Sequence, residues 1–233
     1  MPASVVKRLL AQSDSETRAY INQWLKYPKD SAGSIMTIEF VSLRPTMTVE
    51  DAFERIRRTA IDKETIYTCY VTDNNRHLMG IVTAKQLLIA SPETVIGDIM
   101  DDAVISVSTT DDKEEVALLL ERYGFLAMPV VDKENRMVGI VTFDDAMDVM
   151  EEEATEDMEL MSGMTPSEKP YLRSSAFELF KNRIPWLMLM MVSATFTGLI
   201  MSAFEDALAA QIALSAFIPM LMGTGGNSGS QSS

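Results

Sequence analysis

Between Asp144 and Glu159 the chain reads DDAMDVMEEEATEDME, a stretch with nine carboxylates and no base. No Lys or Arg occurs between Arg136 and Lys169. Asp145, Asp148, Glu152, Glu156 and Glu159 follow one another at spacings of 3, 4, 4 and 3, which places them on one face of a helix. Met147, Met150, Ala154, Met158 and Met161 share that spacing and are expected to form a second, apolar face. Like charges at helical neighbours destabilise a helix by roughly a few tenths of a kcal/mol per pair. A helix of this composition therefore either collects cations or is a solvated face that tolerates the repulsion. On the residues alone both readings stand.

The rest of the chain must position that helix. Its 233 residues suffice for about one to two domains. The formal net charge of −14 and a pI near 4.5 argue against nucleic-acid binding, which needs a basic surface. The same charge fits cation binding or a solvated acidic surface. A single cysteine, Cys69, excludes an intramolecular disulfide framework and fits a reducing compartment. A single histidine, His77, leaves neither a His-based metal cluster nor a catalytic triad. No nucleophile is paired with a base and no phosphate loop is present, so no enzymatic activity is expected. His77 is read as a solvated turn residue and Cys69 as core.

Toward the C-terminus, Ile184 to Phe204 runs 21 residues without a charge, about 30 Å as a helix. Lys181 and Arg183 precede it, so residues 1–183 are assigned to the cytoplasm by the positive-inside rule. Pro185 is expected in the first turn of this helix, where its missing N–H costs little. A second apolar run starts at Ala207 and leads into GTGGNSGSQSS. For either run the alternative is a buried helix of a soluble protein; length and flanking charges favour a membrane span.

Upstream lies an internal repeat. Ile35-Met36-Thr37, Val41-Ser42-Leu43 and Glu50-Asp51-Ala52 recur 64 residues later as Ile99-Met100-Asp101, Ile105-Ser106-Val107 and Glu114-Glu115-Val116. Gly80-Ile81-Val82-Thr83 recurs as Gly139-Ile140-Val141-Thr142 at a shift of 59, so the second unit is five residues shorter in its middle. Each unit reads as short strand, helix, strand, turn, strand, helix, with turns at Asp73-Asn74-Asn75 and Asp132-Lys133-Glu134-Asn135. The two half-buried sheets are expected to pair.

The pattern I-M-T, V, E-A, V-D, G-I-V-T, met twice in register, resembles a CBS domain, and the tandem resembles a CBS pair (Bateman module). The longer order is YPKDSAGSIMT, the pair, EEEATEDME, an apolar helix and GTGGNSGSQSS. It resembles the MgtE-type magnesium transporters and channels from about residue 15 onward. The fold implied is α+β, a tandem CBS pair followed by a connecting helix and a transmembrane helix. The segments implied are 1–32 as the end of a helical N-terminal domain, 33–97 and 98–160 as the CBS domains, and 161–183 as the connecting (plug) helix. Residues 184–204 become the first transmembrane helix and 207–233 the start of a second, cut short. A chain ending there is not expected to transport ions by itself.

The resemblance further implies a homodimer in a cell membrane. It implies that Mg2+ ions bridge acids of the CBS pair, the plug helix and the N-terminal domain and so close the pore. The matching positions are Asp112, Glu114, Asp145, Glu153, Glu156 and Asp157. Gly124 departs from the pattern where family members often carry an acid. ATP is a second implied ligand, with Lys85 toward phosphate, Phe125 toward adenine, and Thr142 from the T-x-x-D pattern. Gln86 and Thr68 depart from that nucleotide pattern. Asn227 is implied as pore-lining, against the alternative of a flexible Gly/Ser tail. Two other classes compete: an adenine-nucleotide-binding CBS module of another membrane protein, and a CBS-regulated membrane enzyme whose catalytic part lies elsewhere.

Overall fold

The computed structural model describes residues 27–166, 174–210 and 212–232. The helices expected before residue 27, and the part of the plug segment between 167 and 173, lie outside the described residues. The chain divides into two compact units, Met1–Glu152 and Glu153–Ser233.

In the first unit the repeat is visible element by element. A short helix α1 (Ala32–Ile35) leads to β1 (Ser42–Leu43), α2 (Val49–Thr59), β2 (Thr68–Thr72), β3 (Leu78–Thr83) and α3 (Ala84–Ile89). The second pass runs α4 (Ile96–Ile99), β4 (Val107–Ser108), α5 (Lys113–Tyr123), β5 (Ala127–Val131), β6 (Met137–Thr142) and α6 (Phe143–Met161). Each repeat forms a three-stranded sheet in chain order, its first pair parallel and its second antiparallel. The parallel pair requires a crossover, which α2 and α5 supply. Thr48 begins α2 with a reciprocal capping box to Asp51, and Asp112 begins α5 by accepting from the Glu114 N–H.

The five-residue difference between repeats has a visible cause. After α2 the chain stays right-handed at Ala60 and spends Ala60–Asp62 in a 3-10 turn before β2. After α5 it reverses at once through Gly124, at φ +64. Only glycine takes that conformation without a Cβ penalty, and it shortens the connection to β5.

The two repeats clasp one another through the two sequence motifs. Thr37 of the first I-M-T exchanges backbone hydrogen bonds with Ile140 at 2.8 Å each way, and Asp101 exchanges them with Ile81 at 2.9 Å. A Cβ on Gly139 would lie 2.8 Å from both the Thr37 carbonyl oxygen and the Met36 sulfur. On Gly80 it would lie 2.9 Å from the Asp101 carbonyl oxygen and the Met100 sulfur. The glycine of each G-I-V-T is thus the space into which the other repeat's I-M segment packs. Around this junction Tyr70, Ala127, Met137 and Ile140 are buried together, with Phe40, Leu78 and Ile81 against them. The expected pairing of the two sheets is what this cluster achieves. The Tyr70 ring meets Phe40 edge-on at 5.9 Å, while its buried hydroxyl has no hydrogen-bond partner among the described residues.

The second unit holds the end of α6 and then α7 (Ala176–Ala203), α8 (Glu205–Ala210) and α9 (Ile212–Ser232). Helix α7 starts with a Ser175–Glu178 capping box, eight residues before the uncharged run. Pro185 is therefore inside a helix, not in its first turn as its sequence position suggests. Its missing N–H leaves the Lys181 carbonyl without a helical donor. Among the described residues α7 is the one helix long and apolar enough to cross a membrane. Helix α9 continues through the Gly/Ser stretch, so GTGGNSGSQS is helical here, not an irregular tail. At the end of α6, Gly163 turns at φ +66, and a Cβ there would lie 2.5 Å from the Trp186 ring.

Candidate cation-binding site

Helix α6 is nucleated by the second repeat. Thr142, buried at the end of β6, donates its hydroxyl to Asp145 Oδ2 at 2.8 Å. The same hydroxyl faces Asp144, whose carboxyl it holds below the ordinary carboxylate range, with help from backbone N–H groups of the first turn. Two acids at a helix start also favour the helix dipole. Ala146 and Val149 then lock α6 onto the second-repeat core formed with Val116, Ala117, Leu120, Met128, Val130 and Val141.

The buried face differs from the expected one. Met150 is half-buried against the core, but Met147, Met158 and Met161 are 48%, 67% and 74% exposed. The small residues Ala146 and Val149 allow the close approach, and Met147, one position on from Ala146, is turned outward. Of the acids, Asp148, Glu151, Glu152, Glu156 and Asp157 are exposed, and Asp145, Glu153 and Glu159 are half-exposed. Glu153 follows Val149 by one helical turn, so it extends the packed face rather than the outer one.

The other predicted ligands lie at the start of α5. Asp112 Oδ1 accepts the Glu114 N–H at 2.8 Å, and both side chains are exposed. The segment before α1 runs over this helix start. Lys113 N donates to Asp30 O at 3.2 Å and Ala32 N to Asp111 O at 2.7 Å. Asp112, Glu114 and Asp145 thus belong to the first unit, and Glu153, Glu156 and Asp157 to the second. Among the described residues no three acidic, His or Cys side chains converge to hold a metal ion. The donors are all carboxylates, which suits a hard cation, and Mg2+ keeps most of its waters and needs only one or two protein ligands. The chemistry fits; a closed cage is not preformed.

One residue of this region escapes the sequence pattern. Lys113 is 12% exposed and its ammonium lies 3.5 Å from Asp30 Oδ1 and 3.8 Å from Glu152 Oε2. The signal was present: Lys113 is the one base within Asp111–Glu115.

For the nucleotide residues, Lys85 is exposed on α3 and the Thr142 hydroxyl is engaged with Asp145. Phe125 is half-buried against the second-repeat core, its ring stacked on Tyr123 at 5.4 Å and 15°. Gln86 is a capping residue: its Oε1 accepts from the Thr83 N–H and hydroxyl, both at 2.7 Å, and its amide donates to Ile99 O at 3.1 Å. Asn227 is exposed on α9. Cys69 is buried as expected, and burial pushes its thiol up to about 12, so it is inert. His77 is not simply solvated. Its Nδ1 lies 2.8 Å from Asp73 Oδ2.

With this geometry in place, comparison with known proteins defines the class first. The CBS domain family matches residues 32–93 and 96–152, and the chain belongs to that family. Its likeness to particular members is more extensive. The chain is 41% identical to the magnesium transporter MgtE of Thermus thermophilus over 226 residues, 97% of this chain and 50% of that protein. It is 39% identical to MgtE of Bacillus subtilis over 96% of this chain and 49% of that one. A crystal structure of the cytosolic domain of the Mg2+ channel MgtE in complex with ATP matches at a TM-score of 0.60 and 45% identity, covering 61% of this chain and 58% of that one. The chain spans about half the length of the curated relatives it matches.

Proposed function

We propose that this chain is the Mg2+-sensing and gating portion of an MgtE-type magnesium transporter, together with the start of its membrane domain. The observation that carries the reading is one continuous helix, α6, that begins in the core of the second repeat and bears nine acids without a base. Identity to magnesium transporters over 97% of the chain supports the ion. One membrane-capable helix after the pair supports the location, with residues 1–183 on the cytoplasmic side. The chain spans about half the length of its curated relatives, so transport is proposed for the whole protein, a homodimer in this reading.

Asp112, Glu114, Asp145, Glu153, Glu156 and Asp157 are the proposed ligands. Their dispersal over two helices is the mechanism: with Mg2+ between them, surfaces of like charge approach and hold the gate closed; without it they repel. The test is a calorimetric Mg2+ titration of the chain in detergent at constant ionic strength. The reading predicts saturable binding that falls at least about tenfold, roughly 1.4 kcal/mol or more, in the Glu153→Gln/Glu156→Gln/Asp157→Asn variant. Identical heats from Mg2+ and matched NaCl would sink it.

An adenine nucleotide is a second proposed ligand. Phe125 and its stacked neighbour Tyr123 favour it, as does the ATP complex of the similar cytosolic domain. Phe125→Ala is predicted to weaken ATP binding while leaving the Mg2+ titration unchanged; no ATP heat from the parent chain at millimolar concentration would remove the idea.

A further inference from the structure

The acidic surface of the second repeat contains a cation of its own. Lys113 sits at the start of α5, between Asp112 and Glu114, yet its side chain is only 12% exposed. A lysine at a helix start is electrostatically misplaced, because the N-terminal end of the dipole repels it. Here two elements hold it nonetheless. Asp30, from the segment before α1, lies 3.5 Å from the ammonium, and Glu152 of α6 lies 3.8 Å away. The Lys113 N–H also donates to the Asp30 carbonyl, which fixes the side chain's origin. Asp30 and Glu152 are 66% and 75% exposed in their side chains, so they lean toward the lysine while remaining wet.

We propose that Lys113 is a built-in counter-ion that occupies the place of one divalent cation, at the point where the leading segment, α5 and α6 meet. Three considerations support it. The ammonium bridges carboxylates from two separate elements, which is the task assigned above to Mg2+. It does so next to two of the proposed ligands, Asp112 and Glu114. It carries one charge on a tether, so it neutralises this junction at every Mg2+ concentration. Lys113 therefore lowers the number of ions the sensor needs and partly neutralises the acids around it when Mg2+ is low. It is a positioning residue, since it acts on the acids and not on the transported ion. The inference deepens the sensing reading and rests on it in part.

The test compares the full chain in detergent with Lys113→Gln and Lys113→Arg. Each thermal unfolding midpoint is followed from zero to millimolar Mg2+ at constant ionic strength. Without Mg2+, K113Q is expected to melt about 3 °C lower than the parent, since two carboxylates lose their counter-ion. Adding Mg2+ is expected to raise the midpoint of K113Q more than that of the parent and to close the gap. K113R is expected to follow the parent at every Mg2+ concentration. A lysine that merely packs would give a deficit independent of Mg2+, and that result overturns the proposal while the parent's own Mg2+ response upholds the sensing reading. A response in K113Q alone would support the counter-ion and refute sensing by the parent chain. No response in either would overturn both.

Discussion

In the first repeat Thr83 caps a helix of six residues, and its partner at the third helical position is Gln86; in the second, Thr142 precedes a helix of nineteen and donates its hydroxyl to Asp145 at the same position. The strands before these helices have the same order and the same pairing. The helices before those strands diverge in the same direction. Both open on acids, Glu50 and Asp51 in α2 against Glu114 and Glu115 in α5, but α2 closes on two arginines, Arg57 and Arg58, and α5 on one, Arg122. One backbone has thus been used twice, once as a frame and once as a frame that extends an acidic arm. The shared part is dictated by packing. The chemistry resides in what the second copy adds.

Five substitutions probe how far the equivalence goes, the largest effect first. Leu120 on α5 is fully buried, while its counterpart Ile56 on α2 is only half-buried. Leu120→Ala is expected to cost about 3 kcal/mol by urea unfolding, and Ile56→Ala about half as much. Equal costs would mean that the two cores are packed alike. Next, Gly124→Ala is expected to cost about 1–2 kcal/mol, because nothing crowds a Cβ there and only the positive φ resists. Ala60→Gly at the matching place should cost about 0.5–1 kcal/mol. At the junction itself, Tyr70→Phe removes a buried hydroxyl without a partner among the described residues. It is expected to be neutral or stabilising by up to about 1 kcal/mol; a loss of stability would reveal a bond that the hydroxyl makes.

The smallest effect concerns the two hairpin turns. Asp73 and Asp132 occupy equivalent places, and both carboxyls are held below the ordinary range. For Asp73 the main cause is the hydrogen bond with His77. For Asp132 burial pushes up but is outweighed by the Arg136 backbone N–H and guanidinium. A depressed carboxyl contributes stability above its unfolded pKa and loses it as pH falls through the folded value. Asp73→Asn and Asp132→Asn should therefore each lower the melting temperature at neutral pH and converge with the parent as pH falls below about 4, which flattens the fall on acidification. A variant whose midpoint moves equally at pH 7 and pH 3 would contradict that origin.

Much of this was legible in the residues. The repeat shifts of 64 and 59 locate every strand because strand order, turn chemistry and the G-I-V-T glycine each recur. The reason for that glycine was not legible, since it lies in the other repeat's Met36 or Met100. The acidic helix was visible, but its buried face was misplaced by one residue: hydrophobicity marks methionine, whereas close packing selected Ala146 and Val149. Lys113 escaped because its partners, Asp30 and Glu152, are distant in sequence. The continuation of α7 upstream of Pro185 escaped because proline signals a helix start more often than an interior.

The central claim is that the second repeat's helix responds to Mg2+ and the first repeat's does not. Hydrogen exchange on the whole chain in detergent reads both in one sample, with Mg2+ titrated against NaCl of equal ionic strength. The account predicts slowed exchange across residues 143–161 at millimolar Mg2+, none in matched NaCl, and no change across residues 84–89. Equal protection by NaCl, or equal protection of both helices, would contradict it.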